Sequence, residues 1–133
     1  MNVLNSQNEN DALIFDHIPP SYKVSRNFTL AEYASKDNDP IVFIHPSLII
    51  GIQALRDHVQ RAITINSGYR SPAHNKSIGG ASSSYHTRGM AADIVIKGMT
   101  PLEVASLAHD MGFGGIKAYQ SFTHIDVGPK RTW

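Results

Sequence analysis

Few backbones satisfy the run Phe122-Thr123-His124-Ile125-Asp126-Val127-Gly128. Read as a β-strand, its side chains alternate between faces, so Thr123, Ile125 and Val127 share one side while His124 and Asp126 share the other. The apolar side must be buried against a core, and the two ionisable groups then point together to the opposite side. A solvated polar face on an edge strand is common by itself. A second segment with the same ligand types changes its meaning: in Ser84-Tyr85-His86-Thr87-Arg88-Gly89-Met90-Ala91-Ala92-Asp93, His86 and Asp93 lie seven apart around Gly89 and Ala91. These small residues let the backbone bend as it leaves a loop and enters a strand at Asp93. A lone His and Asp at this spacing is most often a structural hydrogen-bonded pair. Brought together, the two segments supply two imidazoles and a carboxylate, a set that suits Zn²⁺ and leaves a fourth tetrahedral position for water, whose pKa the metal lowers to about 7. Cysteine is absent, so disulfides and thiolate sites are ruled out and a metal must be held by histidine and carboxylate.

The 133 residues suffice for one sizeable core and are short for two. The first ten or so are rich in Asn and poor in large apolar side chains, so residues 1–27 are expected to form a partly flexible arm, with an extended stretch around Pro19-Pro20 lying over the core. Residues 28–133 form the domain. Thr29-Leu30-Ala31-Glu32 fits a capping box and predicts a short helix over Leu30 to Ala34. Pro46 suits a first helical position, and Leu48, Ile49, Ile52, Leu55 and Val59 recur at intervals of three and four, predicting a helix from Pro46 to about Gln60. Ala62 to Asn66 is β-branched and closed by Ser67-Gly68, as a strand ending in a turn. Arg70 to Ser84 holds a proline, two glycines and several serines, and predicts an irregular loop around a brief helical turn. Asp93 to Ile96 is a strand, Thr100-Pro101-Leu102-Glu103 starts a helix running to Gly112, and Gly115–Tyr119 and Phe122–Val127 form a final antiparallel pair. The class is α+β.

The formal net charge is +1, with both signs scattered, so no basic patch points to nucleic acid or an anionic membrane. No run approaches membrane-spanning length, and the N-terminus lacks the basic start and apolar stretch of a secretory signal. The expectation is a monomeric protein made in the cytoplasm.

Three segments carry a family resemblance. Ser84 to Asp93 matches the Ser-x-His-x-x-Gly-x-Ala-x-Asp motif of the LAS-type zinc peptidases, which include zinc D-Ala-D-Ala carboxypeptidases and peptidoglycan endopeptidases of the hedgehog/DD-peptidase fold. Asn66-Ser67-Gly68-Tyr69-Arg70-Ser71-Pro72 resembles their Ser-Gly-Tyr-Arg-Ser segment, and Phe122-Thr123-His124-Ile125-Asp126-Val127-Gly128-Pro129 resembles the His-x-Asp ending of the carboxypeptidase subgroup. The match keeps this order from about Phe28 to Trp133. It implies a small antiparallel sheet with helices packed on one face, Zn²⁺ held by His86, Asp93 and His124, and Arg70 contacting the substrate and steadying charge on the scissile carbonyl. Many relatives carry His-x-His at the last motif, with the second histidine on the metal. In that register Asp126 would bind zinc and His124 would be the base; in the His-x-Asp subgroup His124 is the ligand, and Asp126 is catalytic base or orienting partner.

The implied reaction is hydrolysis of peptide bonds in peptidoglycan stem peptides or cross-links by metal-activated water. Such a chain suits a phage-encoded lytic or tail-associated enzyme, or a cytoplasmically made wall hydrolase. A serine nucleophile is disfavoured, because no strand-turn-helix elbow surrounds Ser82, Ser83 or Ser84. The rival is a module of the same fold that keeps zinc for stability or binds wall peptides without cutting them. Cleft walls are expected in the Asn75 to Ser83 loop and the Lys117 to Phe122 turn, with His74, Tyr69 and Tyr85 as further candidates to line it. His17, His45, His58 and His109 have ordinary structural explanations.

Overall fold

The computed structural model describes residues 11–131. Its centre is a four-stranded antiparallel sheet made of β5 (Ile63–Ser67), β6 (Ala91–Ile96), β7 (Gly115–Ala118) and β8 (Thr123–Asp126), in the order β5-β6-β8-β7. The alternation expected for Phe122–Val127 is realised: β6 pairs with β8 so that Asp93 stands opposite His124 and Ala91 opposite Asp126. In β7, Gly115 lies across from Asp126 and Lys117 across from His124. One face therefore carries Ala91, Asp93, Gly115, His124 and Asp126, while Ala92, Ile94, Ile96, Ile116, Thr123 and Ile125 share the other.

The apolar face is covered by α4 (Pro101–Asp110), whose start is tied to the sheet where Thr123 Oγ1 donates to the Pro101 carbonyl at 2.8 Å. Its capping box forms as the sequence predicts: Thr100 N donates to Glu103 Oε1 and Glu103 N to Thr100 Oγ1. The expected stripe on α2 (Pro46–Val59) is buried at Leu48, Ile49, Ile52 and Leu55, and the helix ends at Gln60, which adopts a left-handed conformation. The remaining helices are α1 (Leu30–Tyr33) and α3 (Pro72–Ser77), the brief turn anticipated inside the Arg70–Ser84 loop.

Residues 1–10 of the expected arm lie outside the described residues. Within its remainder, β1 (Leu13–Asp16) pairs antiparallel with β4 (Ile41–Ile44), and β2 (Lys23–Ser25) with β3 (Phe28–Thr29). The strand β4 is not among the elements expected from sequence, because four apolar residues are too few to display a period. A second difference bears on the site. The strand expected to begin at Asp93 begins two residues earlier, at Ala91, because β8 extends far enough to pair with it. Asp93 is thus held from both sides, by β5 and β8, rather than at a strand end.

Candidate metal centre

His86 arrives from a single 3₁₀ turn, Tyr85–Arg88, capped by Ser84, whose Oγ accepts from His86 N at 3.2 Å. Asp93 and His124 are cross-strand neighbours. Together they place His86 Nε2 3.2 Å and His124 Nδ1 3.1 Å from the same carboxylate oxygen, Asp93 Oδ1. The two imidazoles meet edge to face with ring centres 5.3 Å apart. Among the described residues these three form the one group whose ligand atoms, one from each residue, all lie within 4.8 Å of one another.

The outer ring nitrogens decide what the inner ones can do. His86 Nδ1 donates to the Gly68 carbonyl at 2.8 Å, and His124 Nε2 donates to Asp126 Oδ2 at 2.8 Å. A neutral imidazole has a single N–H, so each ring then turns a lone pair inward. Three acceptors converge, an arrangement that calls for a cation between them, either a proton or a metal. Burial alone would lower the pKa of His124, but Asp126 and Asp93 outweigh it and raise it above the ordinary value. Burial would likewise raise Asp93, yet hydrogen bonds from His124 and His86 hold it well below the usual carboxylate range. A divalent ion satisfies the same three lone pairs, and an imidazole whose outer N–H is fixed by a carbonyl or carboxylate is the usual form of a histidine ligand. The donor set fits Zn²⁺.

Arg70 is positioned by three acceptors. Nε donates to Ser67 Oγ at 3.1 Å, Nη1 to Asn75 Oδ1 at 3.3 Å and Nη2 to Asp93 Oδ2 at 3.4 Å. Ser67 can reach it because the register of β5 against β6 shifts between Ile65 and Ser67, which puts Ser67 opposite Asp93. Asn75 is buried and is itself anchored, donating to the Ala81 carbonyl at 2.8 Å. The guanidinium side chain remains 15% exposed and lines a cleft of about 410 Å³. Further donors of its planar fork remain for a ligand.

The cleft is walled by Ala81, Ser83 and Ser84 on one loop and by Tyr119 and Phe122 on another, whose rings stack with centroids 4.7 Å apart. Ala81, Ser83, Tyr119 and Phe122 fall in the segments expected from sequence, and Ser84 lies one residue beyond the first of them. Tyr85 also lines the cleft; Tyr69 instead is buried against Phe43, and His74 is not among the lining residues. His45 is buried at the start of α2, where its Nδ1 accepts from Ser47 N.

Asp126 is fully buried. Its Oδ2 accepts from His124 and from Arg131 Nη2, at 2.5 Å for the latter, and its Oδ1 accepts from Gly128 N at 3.1 Å. Burial pushes this carboxyl up, but His124 and Arg131 outweigh it and lower its pKa. Arg131 is absent from the sequence expectations, and Asn75 enters them only as the start of a cleft-wall segment, not as a partner of Arg70; neither lies in a periodic pattern, and a single polar residue carries no signal of where its side chain goes.

The turn that delivers His86 depends on Gly89. Its φ is +69°, and a Cβ there would lie 2.2 Å from the Phe43 carbonyl oxygen and 2.9 Å from Ile44 Cα, while Gly89 O accepts from His45 N at 2.8 Å. Gly89→Ala is expected to destabilise the fold by about 1–3 kcal/mol from the left-handed backbone alone, more with the overlap against β4. Urea unfolding of the metal-free protein measures it, and a change below about 0.5 kcal/mol would show that the turn relaxes freely.

Comparison with known proteins locates similarity over the same segments. The model of the Peptidase M15 family matches residues 26–126. The chain is 37% identical over 105 residues to the peptidoglycan L,D-endopeptidase MepK of Escherichia coli (strain K12), covering 74% of this chain and 56% of that protein. It is 34% identical over 88 residues to the zinc D-Ala-D-Ala carboxypeptidase of Streptomyces albus G, covering 62% of this chain and 34% of that protein. The chain thus spans little more than half the length of the first of these relatives and about a third of the second.

Proposed function

Since the chain belongs to the Peptidase M15 family, we propose that it is a zinc metallopeptidase that hydrolyses peptide bonds of peptidoglycan stem peptides or cross-links, acting at the cell wall as a monomer. The observation that carries this reading is the convergence of His86 Nε2, Asp93 Oδ1 and His124 Nδ1, each turned inward by its own second partner. These three residues would hold the ion. When bound, zinc supplies Lewis-acid polarisation of a peptide carbonyl and activation of water at neutral pH.

The chain's own residues do the rest. Arg70, fixed by Ser67, Asn75 and Asp93, meets the negative charge that develops on the carbonyl oxygen as it becomes tetrahedral. A preorganised, permanently charged donor of this kind favours the transition state over the ground state. Of the roles expected for Asp126, its bonds support the orienting one: both oxygens are engaged, and one of them accepts from the outer nitrogen of His124. Tyr119, Phe122 and the Ala81–Ser84 side of the cleft would flank the peptide.

A module that uses the same fold only to bind is the competing reading. Three protein donors facing an open cleft favour catalysis, because a purely structural zinc site usually closes with four. Purified peptidoglycan fragments incubated with the protein, with and without chelator, test the proposal by mass spectrometry of the products. Zinc-dependent release of a terminal residue, or opening of a cross-link, is expected. Intact fragments under zinc-replete conditions would overturn it.

A further inference from the structure

Arg131 touches both halves of the metal centre. Its Nη2 donates to Asp126 Oδ2, the oxygen that also receives His124 Nε2, and its guanidinium lies over the ring of Tyr85, 4.7 Å from the centroid, on the turn that carries His86. The backbone is shaped to admit it. A Cβ at Gly115 would lie 2.3 Å from Arg131 Nη2 and 2.3 Å from Asp126 Oδ2, and one at Gly128 would lie 3.1 Å from Arg131 Nη1 and 2.8 Å from Tyr85 Cζ. Two glycines thus leave a slot in which the guanidinium reaches a fully buried carboxylate from outside the sheet. Residue 131 also falls beyond the stretch matched by the family model.

We propose that Arg131 is a positioning residue of the metal centre, which holds Asp126 against His124 and Tyr85 beside His86 so that both imidazoles keep their inward nitrogens on a common ion. The inference rests on the zinc reading given above. The physical reason is one of degrees of freedom. Asp126 Oδ1 is fixed by the Gly128 amide, and among the described residues Oδ2 is held by His124 and Arg131; without the guanidinium Oδ2 loses one of these two anchors, and the carboxylate's hold on the outer nitrogen of His124 slackens. A ligand whose outer partner is lost typically weakens metal binding about 10–100-fold. Anchoring of the tail does not require this side chain, because Arg131 N itself donates to the Gly114 carbonyl at 3.1 Å.

The full chain is purified metal-free as wild type, Arg131→Ala, Arg131→Lys and His86→Ala, and zinc affinity is measured by competition with a chromophoric chelator. Thermal unfolding of each metal-free form runs alongside. Arg131→Ala is expected to bind zinc about 10–100-fold more weakly with a metal-free melting temperature close to wild type. Arg131→Lys should recover part of the affinity, since an ammonium keeps the charge but cannot fork between Asp126 and the Pro129 carbonyl while stacking on Tyr85. Zinc affinity within about twofold of wild type for Arg131→Ala overturns the proposal. So does weakening that accompanies a large drop in metal-free melting temperature without any recovery by lysine, which would mark Arg131 as a fold residue only. Failure of the zinc reading looks different: wild type takes up no zinc, or His86→Ala binds it equally well.

Discussion

Alanine at His86 or at His124 is expected to leave the protein without stoichiometric zinc after dialysis, while Asp126→Asn retains a full equivalent at saturating metal. The two histidines contribute inward lone pairs 3.1–3.2 Å from Asp93 Oδ1. Removing either leaves two donors. If a complete protein site is worth about 10–16 kcal/mol, one ligand accounts for roughly 3 kcal/mol or more, an affinity loss of at least about 100-fold. On the proposed assignment Asp126 acts on the ion through His124, so its amide variant should weaken binding without abolishing it, about 10–100-fold. Metal content by mass spectrometry, followed by chelator titration, separates the cases. Loss of zinc confined to the Asp126 variant would invert the assignment and place this chain in register with relatives that carry two histidines in the last motif.

Arg70→Ala is expected to lower kcat on a peptidoglycan fragment by about 10²–10³-fold, the range for loss of a preorganised transition-state donor. Zinc should stay bound. Arg70→Lys should recover little, because the three acceptors that hold the guanidinium, on Ser67, Asn75 and Asp93, are spaced for a planar fork and an ammonium cannot satisfy them while also facing the cleft. The split between kinetic constants carries the information: a fall in kcat and kcat/KM together indicates an interaction made in the transition state, whereas a raised KM at unchanged kcat indicates uniform substrate binding and would remove Arg70 from the chemistry.

These two predictions draw on residues that the sequence exposes in different ways. His124 was legible through the alternation of Phe122–Val127, a physical period that any reader of the chain can apply, and β8 bears it out in its pairing with β6. His86, Asp93 and Arg70 were legible as spaced motifs, and the fold brings them within one cleft. Arg131, and the contact of Asn75 with Arg70, were not legible. Each acts through one side chain in an aperiodic segment, and its partner is set by tertiary closure: Asn75 depends on how α3 follows Arg70, and Arg131 on the tail folding back over Gly115 and Gly128. The shift of β5 register at Ser67 belongs with them, since a bulge is defined by a partner strand and has no counterpart in local composition.

The sheet itself has a consequence for how such a protein can be altered. Its strands present Asp93, His124 and Asp126 on one side and Ile94, Thr123 and Ile125, under α4, on the other. Neighbouring codons therefore report to different masters: a change at position 124 or 126 is judged by turnover, and a change at 123 or 125 by survival of the folded state. A one-residue insertion in this strand would exchange the two roles and lose both, turning the metal-centre side chains toward α4 and the apolar ones toward the cleft.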